Sequence, residues 1–230
     1  AAVTPSSEST AALLRRLIAE APAILEAHPA NRRRVKEGHA PANGIWPWSG
    51  GKIGALQSLS DKYKIRGAVI SAVDVIRGLG KCLGMEVIDV PGATGYIDTN
   101  YEGKADAAIR ALRSFDLVYL HLEAIAEVSH AKDLKLKIQA IEDFDRRIIG
   151  RVLSAFKPAE LNAAVLADHP VPIRLGKHTR TPVPVAVRKA GLKPDGLSAY
   201  NEIDCLKGRL GPMKNGDLMQ CLFNSPKRSS

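Results

Sequence analysis

Asp168 and His169 stand side by side one residue, Ala167, after the apolar run Ala163-Ala164-Val165-Leu166, and His178 follows nine residues after His169. A short apolar run reads as a buried strand, and open α/β sheets bind ligands outside the carboxyl ends of their strands. One carboxylate and two imidazoles within eleven residues are donors that a borderline cation such as Zn²⁺ or Mn²⁺ accepts. The same residues also suit an ordinary loop, with Asp168 capping the bend at Pro170. A second strand-like run, residues 115–122, leads through Glu123 to His130. If both runs end at one sheet edge, His130 joins Asp168, His169 and His178. The alternative for His130 is a helix cap or a surface imidazole.

The elements that must position these groups follow from periodicity. From Gly67 onward, strand patterns at 68–73, 85–90, 115–122, 163–166 and 183–187 are separated by helical patterns at 74–83 and 104–113. Leu134, Ile138, Ile141, Phe144, Ile148 and Val152 recur at three- and four-residue intervals, which predicts one long amphipathic helix. The alternation predicts an α/β fold, a mostly parallel sheet with helices on both faces and right-handed crossovers. A last short helix is expected over 216–223. Upstream, Leu13, Leu14, Leu17, Ile18, Ile24 and Leu25 make an amphipathic helix that Pro22 is expected to divide. Arg32-Arg33-Arg34 reads either as a solvated helix face or as a clamp for phosphate or carboxylate. Trp46 and Trp48 lead into Ser49-Gly50-Gly51-Lys52, which lacks the full phosphate-loop spacing; a structural turn is the simpler reading of those glycines. Both tryptophans could equally be core residues at a domain junction. The change of composition near residue 60 divides the chain into residues 1–60 and residues 61–230.

Composition narrows the partners. The 230 residues carry a formal charge of +9, yet no zinc-finger spacing or RNA-binding aromatic pattern accompanies the basic residues. A positive cleft also concentrates small anions, so an anionic substrate is expected and nucleic acid is not. No apolar run approaches the ~20 residues of a membrane span. Three widely spaced cysteines fit a reducing compartment, and residues 1–10 lack a signal-peptide pattern, so the cytoplasm is expected.

Several longer motifs add to this. They are His28-Pro29-x-Asn31-Arg32, Ile45-Trp46-x-Trp48-x-Gly50, Gly67-Ala68-Val69-Ile70-Ser71-Ala72-Val73-Asp74, and Gly92-Ala93-Thr94-Gly95-Tyr96-x-Asp98-Thr99-Asn100-Tyr101-Glu102-Gly103-Lys104. With Asp168-His169-Pro170 and His178-Thr179-x-x-Pro182-Val183-Pro184, they resemble the archaeal-type cofactor-independent phosphoglycerate mutases of the alkaline phosphatase superfamily. The resemblance runs from about residue 11 to the end.

That resemblance implies an alkaline-phosphatase-like domain over 61–230 and, in 1–60, the remainder of a substrate-clamping lobe. It implies two divalent metal ions (Mn, Zn or Mg), no 2,3-bisphosphoglycerate, and a serine that is transiently phosphorylated. Asp168 and His169 would hold one metal, His130 and His178 the other. Lys81 falls near the family's phosphate-stabilising lysine, and Arg32, Trp46 and Trp48 would bind phosphoglycerate from the clamping lobe. Association with further copies of the chain is left open.

Two departures matter. The family's amino-terminal segment, with a metal-binding aspartate and the serine nucleophile, is expected upstream of everything present here. The motif His-x-Glu-Ala-Pro-Asp-Glu-Ala-Gly-His reads His121-Leu122-Glu123-Ala124-Ile125-Ala126-Glu127-Val128-Ser129-His130, so a ligand aspartate is Ala126. The expected function is therefore an incomplete or impaired phosphoglycerate mutase homologue. The alternatives are another metal-dependent phosphatase or phosphonate hydrolase on the same scaffold, or a non-catalytic protein that binds phosphorylated acids.

Overall fold

The computed structural model describes residues 7–48, 50, 54, 56–214 and 216–223. Apart from Gly50, the Ser49–Lys52 glycine turn lies outside the described residues. The chain separates into two compact units, Ala1–Ala55 and Leu56–Ser230.

In the first unit, helix α1 spans Glu8–Ala27 and is opened by Ser7, whose hydroxyl accepts from the Thr10 N–H. Pro22 sits inside it without dividing it, which corrects the sequence expectation. A proline removes only the bond its own N–H would give to the preceding turn, and the remaining turns of a 20-residue helix hold. His28 ends α1 and caps α2, Pro29–Lys36, by accepting the Ala30 N–H at Nδ1, with Pro29 in the first turn where its missing donor costs nothing. Asn31 is the buried pin of this unit. Its amide donates to the carbonyls of Leu25 (3.0 Å) and Ala42 (2.8 Å), and its oxygen accepts from Ala42 N–H (2.8 Å). Arg32, Arg33 and Arg34 lie on the exposed face of α2, as a solvated arginine run does.

The second unit begins with α3, Leu59–Tyr63, capped by Ser58. Strand β1, Gly67–Ile70, is buried at all four positions and pairs parallel with both β2, Glu86–Val87, and β3, Leu117–Leu120. The sheet order is β2-β1-β3. Helix α4, Asp74–Cys82, makes the crossover from β1 to β2, and α5, Tyr101–Ala111, leads to β3. Continuous apolar strands crossed by helices are the signature of a parallel sheet, and the expected α/β class is what forms. The α5 face Ala105, Ala107, Ala108 and Ala111 is small enough to lie close on the sheet, and Ile70 packs with Ala107 and Ala108 beside Val118 and Leu120.

After α6, Ala124–His130, the long periodic segment forms one rod: α7, Leu134–Asp143, a π-helical stretch Phe144–Gly150, and α8, Arg151–Ser154. The rod is clamped to α5 by two bidentate pairs one helical turn apart. Arg147 Nε and Nη2 meet the Glu102 carboxylate at 2.6 and 2.8 Å, and Arg151 Nε and Nη2 meet Asp106 at 2.7 and 2.9 Å. Strands β4, Ala163–Leu166, and β5, Val185–Arg188, form a separate antiparallel ribbon. Here the expected continuation of the parallel sheet does not occur. The connection between them holds no helix, and a strand returning without a crossover helix pairs antiparallel. Pro182 and Pro184 have no N–H to donate, so β5 starts at Val185 rather than Val183. Helix α9 covers Asp217–Phe223.

Two outcomes follow. A Cβ added at Gly80, buried in α4, would stand 2.5 Å from Val69 Cγ1. Gly80→Ala should therefore cost about 1–3 kcal/mol in urea unfolding by overpacking α4 on β1. The Arg147 hydrogen bond holds the Glu102 carboxyl at about 2, below its unfolded value. A depressed carboxyl stabilises the fold above its unfolded pKa of about 4.3 and loses that contribution as pH falls toward 2. Since Glu102 is 45 % exposed, the effect should stay below ~1 kcal/mol. Urea midpoints between about pH 2 and 5 should fall less steeply in Arg147→Met than in the parent.

Candidate metal centre

The residues that the sequence singles out for metal binding are brought together. Helix α6 presents His130 at its last position, and the β4–β5 connection carries Asp168, His169 and His178. His130 Nε2 lies 3.1 Å from His178 Nε2. The rings of His169 and His178 overlap with centroids 3.7 Å apart, and Asp168 Oδ2 lies 3.0 Å from His169 Nε2. The connection is held in place by three bonds. Thr179 N–H donates to the Pro170 carbonyl (3.1 Å), Lys137 of α7 donates to the carbonyl of buried Val171 (2.9 Å), and the Tyr200 hydroxyl reaches the Pro184 carbonyl (2.9 Å).

Two observations bear on whether a cation fits. His130 Nδ1 lies 3.0 Å from the Gly176 carbonyl, so Nδ1 carries the proton and Nε2 offers its lone pair. A backbone carbonyl that fixes the tautomer in this way is the usual support of a metal-ligating histidine. Gly176 has φ +61°, and a Cβ there would stand 2.8 Å from Lys132 Cε and 3.1 Å from the His130 carbonyl, so glycine is what lets the carbonyl approach. In addition, His169 Nδ1 is buried with no hydrogen-bond partner. Donors bound 2.0–2.2 Å from one cation stand about 3.0–3.5 Å apart, and both the His130–His178 and the Asp168–His169 pairs satisfy that spacing. Each pair can hold a cation, but neither closes its coordination: among the described residues no three acidic, histidine or cysteine groups are arranged to share one ion. The gap has an address. Position 126 precedes His130 by four residues in α6, hence on the same helix face, and it is alanine.

The structure adds a group that the motif spacing did not single out. Parallel pairing sets Ile70 opposite Leu120, so Ser71 and His121 leave adjacent strand ends side by side. Ser71 Oγ lies 3.2 Å from His121 Nδ1, and His121 Nε2 lies 3.2 Å from Glu123 Oε2. Beside them Lys104 is 1 % exposed, and its ammonium donates to the Thr94 carbonyl at 3.3 Å. Burial pushes the Lys104 ammonium and the His121 imidazolium down, and the Glu123 carboxylate pulls both the other way. Asp168 acts on His121 and on Tyr119 through space, so this group borders the cluster of imidazoles. A signal was available in the sequence, since His121 and Glu123 stand in the quoted motif.

The remaining candidates belong to other elements. Lys81 is exposed in the last turn of α4, which runs back from the end of β1 toward the start of β2 and so away from the strand ends that carry Ser71 and His121. Arg32 is exposed on α2, and Trp46 and Trp48, 70 % and 80 % exposed, lie in the irregular segment after it.

The sequence profile of the Metalloenzyme superfamily matches residues 13–225. The chain belongs to this superfamily. Within it, the 2,3-bisphosphoglycerate-independent phosphoglycerate mutase of Methanothrix thermoacetophila is 46% identical over 202 residues, 87% of this chain and 52% of that protein. The corresponding enzyme of Methanosarcina acetivorans is 45% identical over 209 residues, 90% of this chain and 53% of that protein. Among solved structures, a protein from Pyrococcus horikoshii superposes with a TM-score of 0.82 at 31% identity, covering 98% of this chain and 60% of that one. The cofactor-independent phosphoglycerate mutase of Thermoplasma acidophilum gives 0.61 at 29%, covering 95% and 53%. The chain spans about half the length of the curated relatives it matches. The superfamily accounts for the alkaline-phosphatase-like α/β fold and implies divalent metals.

Restoring a carboxylate at the gap should add a third donor to the His130–His178 pair. Calorimetric titration with Mn²⁺ or Zn²⁺ should show weak binding to the parent chain and at least about tenfold tighter binding to Ala126→Asp, the scale on which single supporting groups act. Submicromolar binding of two ions by the parent would mean that other ligands are present.

Proposed function

We propose that this chain contributes the metal- and phosphate-handling portion of a cofactor-independent phosphoglycerate mutase, impaired in its chemistry by Ala126. The observation that carries the reading is the fixed tautomer of His130, whose free Nε2 meets His178 beside Asp168 and His169. In this reading Asp168 and His169 hold one divalent ion (Mn, Zn or Mg), and His130 and His178 the other. Two such ions, when bound, neutralise the charge of a transferring phosphoryl group and polarise its entering and leaving oxygens.

The protein's own groups supply the rest. The Gly176 carbonyl keeps the His130 proton on Nδ1, away from the ligand side. Asp168 Oδ1 accepts the His169 backbone N–H (2.8 Å), which holds the carboxylate beside the His169 ring. Lys104, held inside the sheet edge beside Glu123, contributes positive charge toward an anionic substrate, the role that Lys81 would fill only from a different part of the sheet. Arg32, Trp46 and Trp48 would engage phosphoglycerate from the first unit, by analogy with the family. A glycolytic substrate pair is consistent with the cytoplasm as the site of action.

Ala126 favours a second reading, a non-catalytic protein that binds phosphorylated acids, because removing one electrostatic stabiliser typically costs ~10²–10³ in rate. Binding and turnover separate the two. With Mn²⁺ present, 3-phosphoglycerate should bind calorimetrically, and His169→Ala and His178→Ala should abolish that binding. Failure of the parent to bind it would sink both readings. In an enolase-coupled assay the parent should show no interconversion of 2- and 3-phosphoglycerate, and turnover gained in Ala126→Asp would favour the mutase reading over the binding one. Release of inorganic phosphate in place of interconversion would assign the chain to the hydrolases of this scaffold instead.

A further inference from the structure

Ser71, His121 and Glu123 form a connected chain of hydroxyl, imidazole and carboxylate. Ser71 Oγ to His121 Nδ1 is 3.2 Å, and His121 Nε2 to Glu123 Oε2 is 3.2 Å. A carboxylate that accepts a hydrogen bond from one ring N–H leaves the other nitrogen free to accept from a hydroxyl, which is how a weak nucleophile is activated. None of these residues belongs to the set that would hold metal. Nor is Ser71 the phosphorylated serine that the family resemblance places upstream of this chain.

The backbone setting suits the same chemistry. Ser71 is the residue after β1, a buried parallel strand, and three residues before α4. Ser71 lies between a strand end and the start of a helix, and the amides of a helix N-terminus favour negative charge nearby. The nine-residue helix α4 has no side-chain hydrogen bond at its cap, Val73, whose own N–H is taken by Ser71 Oγ at 3.0 Å. His121 leaves β3 at the adjoining strand end, its backbone N–H bonded to the Ile70 carbonyl (2.9 Å), which sets the two residues side by side. Its side chain is 12 % exposed, and burial keeps the ring neutral, the form able to accept a proton. The other charges acting on the ring are Asp168, which pulls its pKa up, and the buried Lys104, which pushes it down.

We infer that Ser71 is a metal-independent nucleophile that takes an acyl group from small carboxylic esters, with His121 as its base and Glu123 orienting His121. Because Ser71 is 3 % exposed, only a small acyl group such as acetyl would reach it. In the first step the Ser71 oxygen forms a bond to the ester carbonyl carbon, and its proton passes to His121 Nδ1. The carbonyl re-forms as the C–O bond to the alcohol breaks, and the leaving oxygen takes the proton from His121. Water then attacks the acyl-serine, again giving a proton to His121, which returns it to Ser71 as the carboxylic acid departs.

The test uses the whole chain with p-nitrophenyl acetate and EDTA, with adducts located by peptide mass spectrometry. Acetyl-Ser71 should form in the parent, remain undiminished by EDTA, and fall about 10²-fold or more in rate in His121→Gln, the scale of a lost general base. Ser71→Ala should lose the burst of nitrophenolate. Mapping the adduct in the parent itself keeps the test independent of whether a variant folds. Acetylation confined to lysines, a His121→Gln rate equal to the parent, or loss of the adduct with EDTA would each overturn the assignment. None of these results bears on phosphoglycerate binding, so the two readings fail separately.

Discussion

One hydrogen bond, from His130 Nδ1–H to the Gly176 carbonyl at 3.0 Å, links the parallel-sheet half of the second unit to the loop that carries the remaining metal donors. Its partners are 46 residues apart in the chain. A histidine at the end of a helix could present either nitrogen outward, and only a fixed acceptor decides between them. The acceptor is fixed because the backbone at Gly176 is left-handed and crowded, a conformation that any side chain would resist. Local glycine geometry thus dictates the protonation of an imidazole, and with it which face of α6 can hold a cation.

The second constraint is register. Parallel pairing places Ile70 against Leu120, and every group at the sheet edge inherits its neighbours from that alignment. Ser71 meets His121, Glu123 follows, and the long-range influence of Asp168 reaches His121 and Tyr119. An open cluster of imidazoles on α6 and the β4–β5 connection therefore borders a drier group around Lys104 at the sheet edge. The first is suited to cations and phosphate, the second to proton transfer within the protein.

The local elements were legible where periodicity and punctuation agreed. The run Ala163–Leu166 becomes β4 over the same residues, and the pattern from Leu134 to Val152 becomes one rod. That the rod contains a π-helical stretch was not legible, because its apolar spacing stays within what an α-helix allows. Pro22 failed as a helix breaker because one absent donor is a small defect in a long helix. The antiparallel turn of β4 into β5 was missed because apolar strands read alike in either sense. At the site, donor types and spacing pointed to His130, Asp168, His169 and His178, which the fold does gather. They could not reveal the contact of Ser71 with His121, since a separation of 50 residues has meaning only once two strands are in register. Lys104 was hidden for a related reason: nothing in its helical pattern says that a lysine points inward.

The loop before α5 has a further consequence. Within residues 91–104, Thr94 N–H donates to Thr99 Oγ1, Asn100 N–H to the Gly92 carbonyl, the Asn100 amide to the Pro91 carbonyl, and the Lys104 ammonium to the Thr94 carbonyl. A buried cation that depends on a loop carbonyl cannot stay dry once that loop opens, so opening the loop also means hydrating the core beneath it. This irregular segment consequently belongs to the same cooperative unit as β1 and α5. Its amide protons should exchange as slowly as those of the strands, and a protease should find no early cut there despite the absence of regular structure.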